Sequence, residues 1–120
     1  MSERQTQILR AYDPEAMFQQ LETACDKVAK AVYKEFILEK HEKILLSQLI
    51  NEYQLNENIT SVSKAMHRAL ASKKYKIHIE GLAVAKEQLI RAKSKYENLK
   101  ALAEARRTQE SSARFIRDKA

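Results

Sequence analysis

Five basic residues recur at every seventh position in the second half of the chain, and they are the clearest candidates for chemistry. They are Lys86, Lys93, Lys100, Arg107 and Arg114. Residues seven apart lie on one side of an α-helix, so the row extends over about 42 Å. A row of cations of this length suits the release of counterions from a phosphate backbone. We call this row the basic ridge.

Further basic residues make the two halves of the chain electrostatically unequal. Residues 1–60 hold 7 Lys or Arg against 10 Asp or Glu, a balance of −3, whereas residues 61–120 hold 15 against 6, a balance of +9. The additional positions that we expect to contact nucleic acid are Lys73, Lys74, Lys76, Arg106 and Arg117. The sequence has no helix-turn-helix pattern, RNP motif or aromatic platform, so binding should be mostly electrostatic. Tyr75 is the one aromatic side chain considered for stacking on a base.

A second interpretation of the ridge needs no ligand. Basic residues beside an apolar seam are typical of the flanking positions of a coiled coil, where they pair with carboxylates of the facing helix. The candidate partners in the first helix are Glu15, Glu22, Glu35 and Glu42. The sequence leaves open whether the ridge pairs with these acids or with phosphates.

The chain lacks the residue patterns of an active site. It has no nucleophile elbow, Gly-rich phosphate loop, Cys-His pair or HExxH motif. His67 and His78 could share a helix face, but together with His41 they fit ordinary surface or flanking histidines better. Cys25 is alone and falls in an apolar stripe, which predicts a buried side chain and suits a reducing compartment. We therefore predict a non-enzymatic protein with no cofactor and no metal site.

The elements that must position the ridge are long helices, because the sequence has one Gly, one Pro and abundant Ala, Leu, Lys and Glu. Asp13-Pro14-Glu15 is a helix start, and the first helix should cover residues 14–54. Its apolar stripe is Phe18, Leu21, Cys25, Val28 and Val32, followed after a phase shift near Phe36 by Ile37, Leu38, Ile44, Leu45, Leu49 and Tyr53. Asparagines in residues 51–61 predict the break that follows.

The second helical arm should cover residues 60–117. Its seam, the apolar line that faces a partner helix, is Leu82, Ala85, Leu89, Ala92, Tyr96, Leu99 and Ala103. Gly81 suggests a kink or break somewhere in 70–82, which would give three helices. We predict a single all-α domain over residues 1–120, built as a long antiparallel helical hairpin or coiled-coil-like bundle.

The two arms are unequal in length, and this makes the end of the chain unusual. In an antiparallel hairpin roughly 15 residues of the second arm would extend past the first helix. Phe115 and Ile116 lie there among arginines. We predict that they are covered by another subunit, as a homo-oligomer contact, or by residues 1–12, which could form a short leading helix.

The second half of the chain also resembles known proteins. The stretch YENLKALAEARRTQESSARF is similar to a class of short helical proteins of tailed phages that accompany recombination genes. More loosely, the Leu70-Ala71-Ser72 step and the late basic residues around Ile116 resemble the UvsY family of phage recombination mediators. The resemblance implies an oligomer that binds single-stranded DNA and helps to load a recombinase in place of a single-strand-binding protein.

Two functions therefore remain. The first is an oligomeric nucleic-acid-binding accessory protein of phage-type recombination or replication. The alternative is a helical protein–protein interaction module, such as a secretion chaperone, a stalk protein or an inhibitor of a host complex, whose charges only hold the two arms together.

No run of residues approaches the roughly 18 apolar residues of a membrane span, so we expect no membrane partner and a cytoplasmic location, the host cytoplasm if the protein is phage-encoded.

Overall fold

A computed structural model of the chain describes the backbone of residues 13–119 and the side chains of residues 13–117. Three helices make up this part of the chain: α1 (Pro14–Asn56), α2 (Val62–Leu70) and α3 (Lys73–Lys119). The predicted all-α class is confirmed. The leading helix predicted for residues 1–12 lies outside the described residues. Along the described part of the chain, no helix combines the length and the hydropathy that a bilayer span requires.

α1 begins at Pro14, as the sequence indicated. The Glu15 amide donates to Asp13 Oδ1 at 3.0 Å, and the Met17 amide donates to the Asp13 carbonyl at 2.9 Å. Asp13 therefore satisfies amides of the first turn that have no partner within the helix. The helix ends at Asn56, two residues beyond the predicted end, and Asn58 then adopts a positive φ of 52°.

The interruption of the second arm lies at Ala71 and Ser72, at the start of the predicted window. Ser72 Oγ donates to the Ala69 carbonyl at 2.7 Å and accepts from the Tyr75 amide at 3.2 Å, so one hydroxyl ends α2 and begins α3. Gly81 lies inside α3, and a Cβ added there would meet nothing within 4 Å. The break is thus caused by serine capping, and the glycine does not interrupt the helix.

The described residues divide into two compact units that share α1 and α3. We call residues 30–90 the central unit, and residues 13–29 with 91–119 the terminal unit. In the central unit α1 and α3 run antiparallel: Tyr75 contacts Glu42, His78 contacts Leu38 and Gln88 contacts Lys34. α2 packs there against the end of α1, where the Arg68 guanidinium binds both carboxylate oxygens of Glu57 at 2.7 and 2.8 Å. This contact raises the pKa of Arg68, first through the hydrogen bonds and then through charge attraction.

The seam of α3 is as predicted. Leu82 and Ala85 are buried in the central unit, Ala103 is buried in the terminal unit, and the other four predicted seam residues are half-buried. Leucine and alanine at alternating spacings of 3 and 4 let neighbouring helices approach closely on this side.

The predicted stripe of α1 is partly wrong. Four of its residues are exposed: Phe18, Cys25, Val32 and Ile44. One line of buried or half-buried side chains follows an uninterrupted alternation of 4 and 3, with no phase shift near Phe36: Met17, Leu21, Ala24, Val28, Ala31, Glu35, Leu38, Glu42, Leu45 and Leu49. Ile37 and Tyr53 of the predicted stripe are half-buried as well. Two alanines and two glutamates occupy seam positions. The prediction chose the bulkiest apolar residues, and several of these lie on the neighbouring line of the helix.

Candidate nucleic-acid interface

Four of the five ridge residues belong to the terminal unit. Lys93, Lys100, Arg107 and Arg114 are exposed on one line of α3, each directly after a residue of the seam side. Seven residues of α-helix rise about 10.5 Å, so these four cations extend over roughly 32 Å. The helix therefore presents them at regular intervals to the solvent.

Lys86, the fifth ridge residue, lies in the central unit and has an acidic partner. Its Nζ is 3.5 Å from Glu39 Oε1. The predicted partners Glu35 and Glu42 occupy seam positions instead, and Glu42 accepts a hydrogen bond from the Tyr75 hydroxyl at 2.8 Å. Lys86 therefore pairs with a carboxylate of the facing helix, as the coiled-coil interpretation predicted, but the partner is Glu39. Both side chains are about half exposed, so such a pair contributes less than about 1 kcal/mol.

In the terminal unit the ridge finds little compensation. Arg114 pairs with Glu110 of its own helix at 2.6 Å. Lys93, Lys100 and Arg107 form no ion pair with any other described residue, and neither Glu15 nor Glu22 pairs with the ridge there. The positions of α1 that lie two and three heptads before Glu39 are Cys25 and Phe18, which carry no charge. The predicted ion pairs between the first helix and the ridge are therefore not formed by these three cations.

The lysines Lys73, Lys74 and Lys76 occupy the first turn of α3 in the central unit and are exposed. They stand at the positive end of the helix dipole, which strengthens the attraction for an anion. Lys73 and Lys74 also line a cleft of about 290 Å³ together with Glu52 and Glu57. These carboxylates reduce the local positive potential, so this cluster is a weaker candidate than the ridge.

The remaining predicted contacts differ in position. Arg117 is exposed on α3. Arg106 is half-buried, because it continues the seam line three residues after Ala103. It has an interaction of its own within the structure, so its side chain is engaged rather than displayed along the ridge.

Tyr75, the aromatic residue considered for stacking, is tied to α1 in the central unit. Its ring is half-buried and its hydroxyl donates to Glu42. The hydrogen bond to Glu42 raises the pKa of Tyr75, and burial and the carboxylate charge add to the effect. His78 is also part of this polar layer: its Nε2 is 2.8 Å from the Leu38 carbonyl, and since a carbonyl only accepts, Nε2 carries the proton.

The three histidines belong to three different helices. His67 and His78 belong to different helices, so the predicted common face on one helix is wrong. Within the described part of the chain no three His, Cys, Asp or Glu side chains come together as metal ligands would. Cys25 is exposed rather than buried, because the seam passes through Ala24.

One basic feature of the terminal unit was missed from the sequence. Lys27 of α1 and Lys95 of α3 line a cleft of about 630 Å³, with Gln19, Gln20 and Thr23 on the α1 side. Two lysines on facing helices add to the positive potential of the unit. Lys27 carries no signal of its own in the sequence, because its role depends on which residue of α3 it faces.

Phe115 and Ile116, the predicted oligomer contact, lie near the end of α3 and are 61% and 69% exposed. The shared cleft places Gln19 and Thr23 of α1 beside Lys95 and Leu99 of α3. Continuing this antiparallel pairing brings Pro14 level with about residue 105 of α3. The last turns of α3 therefore extend beyond the described part of α1.

Comparison of the chain with protein-family models, with curated proteins and with solved structures found no significant match.

Proposed function

We propose that the protein is a non-enzymatic, oligomeric accessory protein that binds nucleic acid, with single-stranded DNA as the preferred form. The observation that carries the proposal is the basic ridge of the terminal unit, where Lys93, Lys100 and Arg107 have no carboxylate partner among the described residues. Three exposed cations in a row, with a fourth at Arg114, attract a polyanion more strongly than the same number dispersed over a surface.

The expected mode of binding is electrostatic. Arg117, Lys86 and the lysines at 73, 74 and 76 provide further phosphate contacts, while the hydroxyl of Tyr75 is bound to Glu42. If four or five phosphates are neutralised on a single strand, the logarithm of the affinity should fall with the logarithm of the salt concentration with a slope of about −3. Preference between base sequences should be small, because phosphate contacts carry no sequence information directly.

The biological role that we propose is mediation of recombination or replication in a phage. Its support is the resemblance of the second half of the chain to small helical phage proteins, and the unequal charge of the two halves. In this role the protein would assist the exchange of a single-strand-binding protein for a recombinase on DNA. Either of these proteins is then a candidate partner.

The test is fluorescence anisotropy of a labelled single-stranded oligonucleotide over a series of salt concentrations. Replacement of Lys93, Lys100 and Arg107 by glutamine should weaken binding and reduce the salt slope by about 2, since each lost phosphate contact removes about 0.7. The matched control replaces Lys30, Lys34 and Lys43 of α1 by glutamine, which changes the net charge equally. Equal losses in the two triple variants, or no binding by the parent at low salt, would refute the proposal.

A helical protein–protein interaction module is the second candidate, and α2 supports it. Ala65 and Ala69 of α2 are buried, but Val62, Met66 and Leu70 on the adjoining side are exposed. Half of the apolar face of this short helix is thus available to a partner. Purification of the parent with a defined protein, combined with salt-independent or absent oligonucleotide binding, would favour this function.

A further inference from the structure

The cleft between α1 and α3 in the terminal unit carries two lysines on facing helices. Lys27 of α1 and Lys95 of α3 line this cleft of about 630 Å³, and both side chains are exposed. Neither lysine forms an ion pair or a hydrogen bond with another described residue. Two like charges across such a cleft repel each other, and an anion bound between them removes the repulsion.

The central unit shows the same lines of the two helices in a paired state. There Lys34 of α1 meets Gln88 of α3, with the lysine Nζ 3.4 Å from the amide oxygen Oε1. Lys27 lies seven residues before Lys34 and Lys95 lies seven residues after Gln88, so the two lysines continue these lines along the antiparallel helices. The terminal unit therefore has two cations where the central unit has a donor and an acceptor. An acceptor from outside the chain would complete the pairing.

The remaining polar side chains of the cleft also suit an anion. They are uncharged: Gln19, Gln20 and Thr23. Their amide and hydroxyl groups can donate hydrogen bonds to a phosphate oxygen, and no acidic residue is among the described residues that line the cleft. The carboxylates that come closest in sequence lie outside the lining: Glu22, Asp26 and Glu97. In the cleft of the central unit, by contrast, two glutamates stand beside Lys73 and Lys74.

We propose that the cleft binds a nucleotide through a phosphate monoester that Lys27 and Lys95 neutralise. A monoester carries about −1.5 to −2 charges at neutral pH, which two lysines balance. The volume of the cleft lies within the roughly 300–1,000 Å³ that is usual for small-molecule sites. Ala16, Ala24 and Leu99 give the same cleft an apolar part, where the sugar or the base can lie. The monoester can belong to a free nucleotide or to the 5′ end of a strand.

The site is separate from the basic ridge. Lys95 follows Lys93 by two residues and therefore lies about 160° away from it around α3. The ridge and the cleft thus occupy opposite sides of the seam, on which Tyr96 and Leu99 are half-buried. The inference goes beyond the proposed function, because the cleft can bind a nucleotide whether or not the ridge binds a strand.

Two-dimensional NMR of the amide groups of the full chain tests the site. Deoxyadenosine 5′-monophosphate is added at constant ionic strength, so that general screening of charge does not change during the titration. Saturable shifts are expected for the amide resonances of residues 16–27 and 95–99, with a dissociation constant on the order of 1 mM or lower. The amides of the central unit should shift little.

A pair of double variants shows whether the two lysines hold the ligand. Lys27→Gln combined with Lys95→Gln should weaken binding about tenfold or more, because both charges that balance the phosphate are lost. The matched control is Lys43→Gln combined with Lys64→Gln, which removes the same charge from exposed positions of the central unit and should leave binding unchanged. Equal losses in the two double variants overturn the inference.

The two sources of the monoester are separated in the variant whose ridge carries glutamine at 93, 100 and 107, where strand binding by the ridge is reduced. Shifts of the cleft amides with the mononucleotide assign a free nucleotide. Shifts with a 5′-phosphorylated oligonucleotide, but neither with the mononucleotide nor with the 5′-hydroxyl oligonucleotide, assign the end of a strand. The absence of a saturable shift with every one of these ligands overturns the inference, as do equal shifts with sodium glutamate.

Thermal denaturation tests the repulsion between the lysines. Lys95→Glu puts a carboxylate opposite Lys27 and should raise the melting temperature without ligand by roughly 2 °C or more. The bound nucleotide should raise the melting temperature of the parent but not that of this variant, because only a ligand that binds the folded state stabilises it. A variant that melts below the parent would show that the two lysines do not face each other, which also overturns the inference.

Discussion

The central and terminal units are built on the same two helices but treat their charged groups differently. In the central unit Lys86 pairs with Glu39, Arg68 pairs with Glu57, and Tyr75 donates to Glu42. In the terminal unit Arg114 pairs with Glu110 of its own helix, while Lys93, Lys100 and Arg107 have no ion pair with another described residue. The central unit therefore pairs several of its polar groups across its helices and connections, whereas the terminal unit leaves three cations of α3 without an ion pair to a described residue.

Core truncations should separate the two units most clearly. Leu49 is 3% exposed in the central unit, so Leu49→Ala should lower the unfolding free energy by about 3 kcal/mol. Leu99 is a half-buried seam residue of the terminal unit and lines the cleft of about 630 Å³. Leu99→Ala should therefore lower the unfolding free energy by only about 1–2 kcal/mol. Urea denaturation followed by circular dichroism measures both. Equal costs would show that the terminal unit is packed as well as the central one.

The polar layer of the central unit should give a smaller, pH-dependent effect. Tyr75→Phe leaves the half-buried Glu42 without its donor and should cost about 1 kcal/mol at neutral pH. Since the folded state raises the pKa of Tyr75, the hydroxyl contributes stability that is present below its usual pKa of about 10 and is lost as pH rises through the raised value. Denaturation at neutral and alkaline pH should therefore show a steeper alkaline loss in the parent than in Tyr75→Phe. Parallel pH profiles would argue against the contact with Glu42.

Gly81 in the central unit provides a stabilising change. Gly81→Ala should raise the unfolding free energy by about 0.5–1 kcal/mol, because α3 is continuous there and an added Cβ meets nothing within 4 Å. Thermal denaturation of the two proteins gives the comparison. A destabilised variant would mean that the helix bends or is contacted at this position in solution.

Single ridge substitutions should give the smallest effect and compare the units directly. Lys93→Gln should reduce the salt slope of oligonucleotide binding by about 0.7, the contribution of one phosphate contact. Lys86→Gln should reduce it less, because Lys86 shares its charge with Glu39 at 3.5 Å. Anisotropy titrations at several salt concentrations measure the slopes. If Lys86→Gln has the larger effect, the assignment of binding to the terminal unit is wrong.

The sequence predicted the features that depend on one helix at a time. The start of α1 at Pro14 follows from local capping, and the seam of α3 follows from a repeat in which leucine and tyrosine mark the buried side. The exposed positions of the ridge follow from the same repeat, since they lie one residue beyond it. These properties need no knowledge of a second helix.

The features that depend on how two helices pair could not be predicted from the sequence of either helix. In α1 the seam passes through Ala24 and Glu35, which are a small and a charged residue, while the bulkier Phe18 is exposed. The pairing of Lys86 with Glu39 rather than Glu35 depends on the register between α1 and α3, which neither helix encodes alone. A proposed partner can therefore be wrong even where the residue is placed correctly.

The hydroxyl of Ser72 has a consequence for how the central unit can respond to a bound molecule. It joins the Ala69 carbonyl at the end of α2 to the Tyr75 amide in the first turn of α3, so only Ala71 and Ser72 separate the helices. A connection this short cannot absorb a large rotation without breaking one of the two hydrogen bonds. A molecule that displaced α2 would therefore also shift the backbone that carries Lys73 and Lys74, so that an apolar ligand on α2 and an anionic ligand on these lysines would be mechanically coupled.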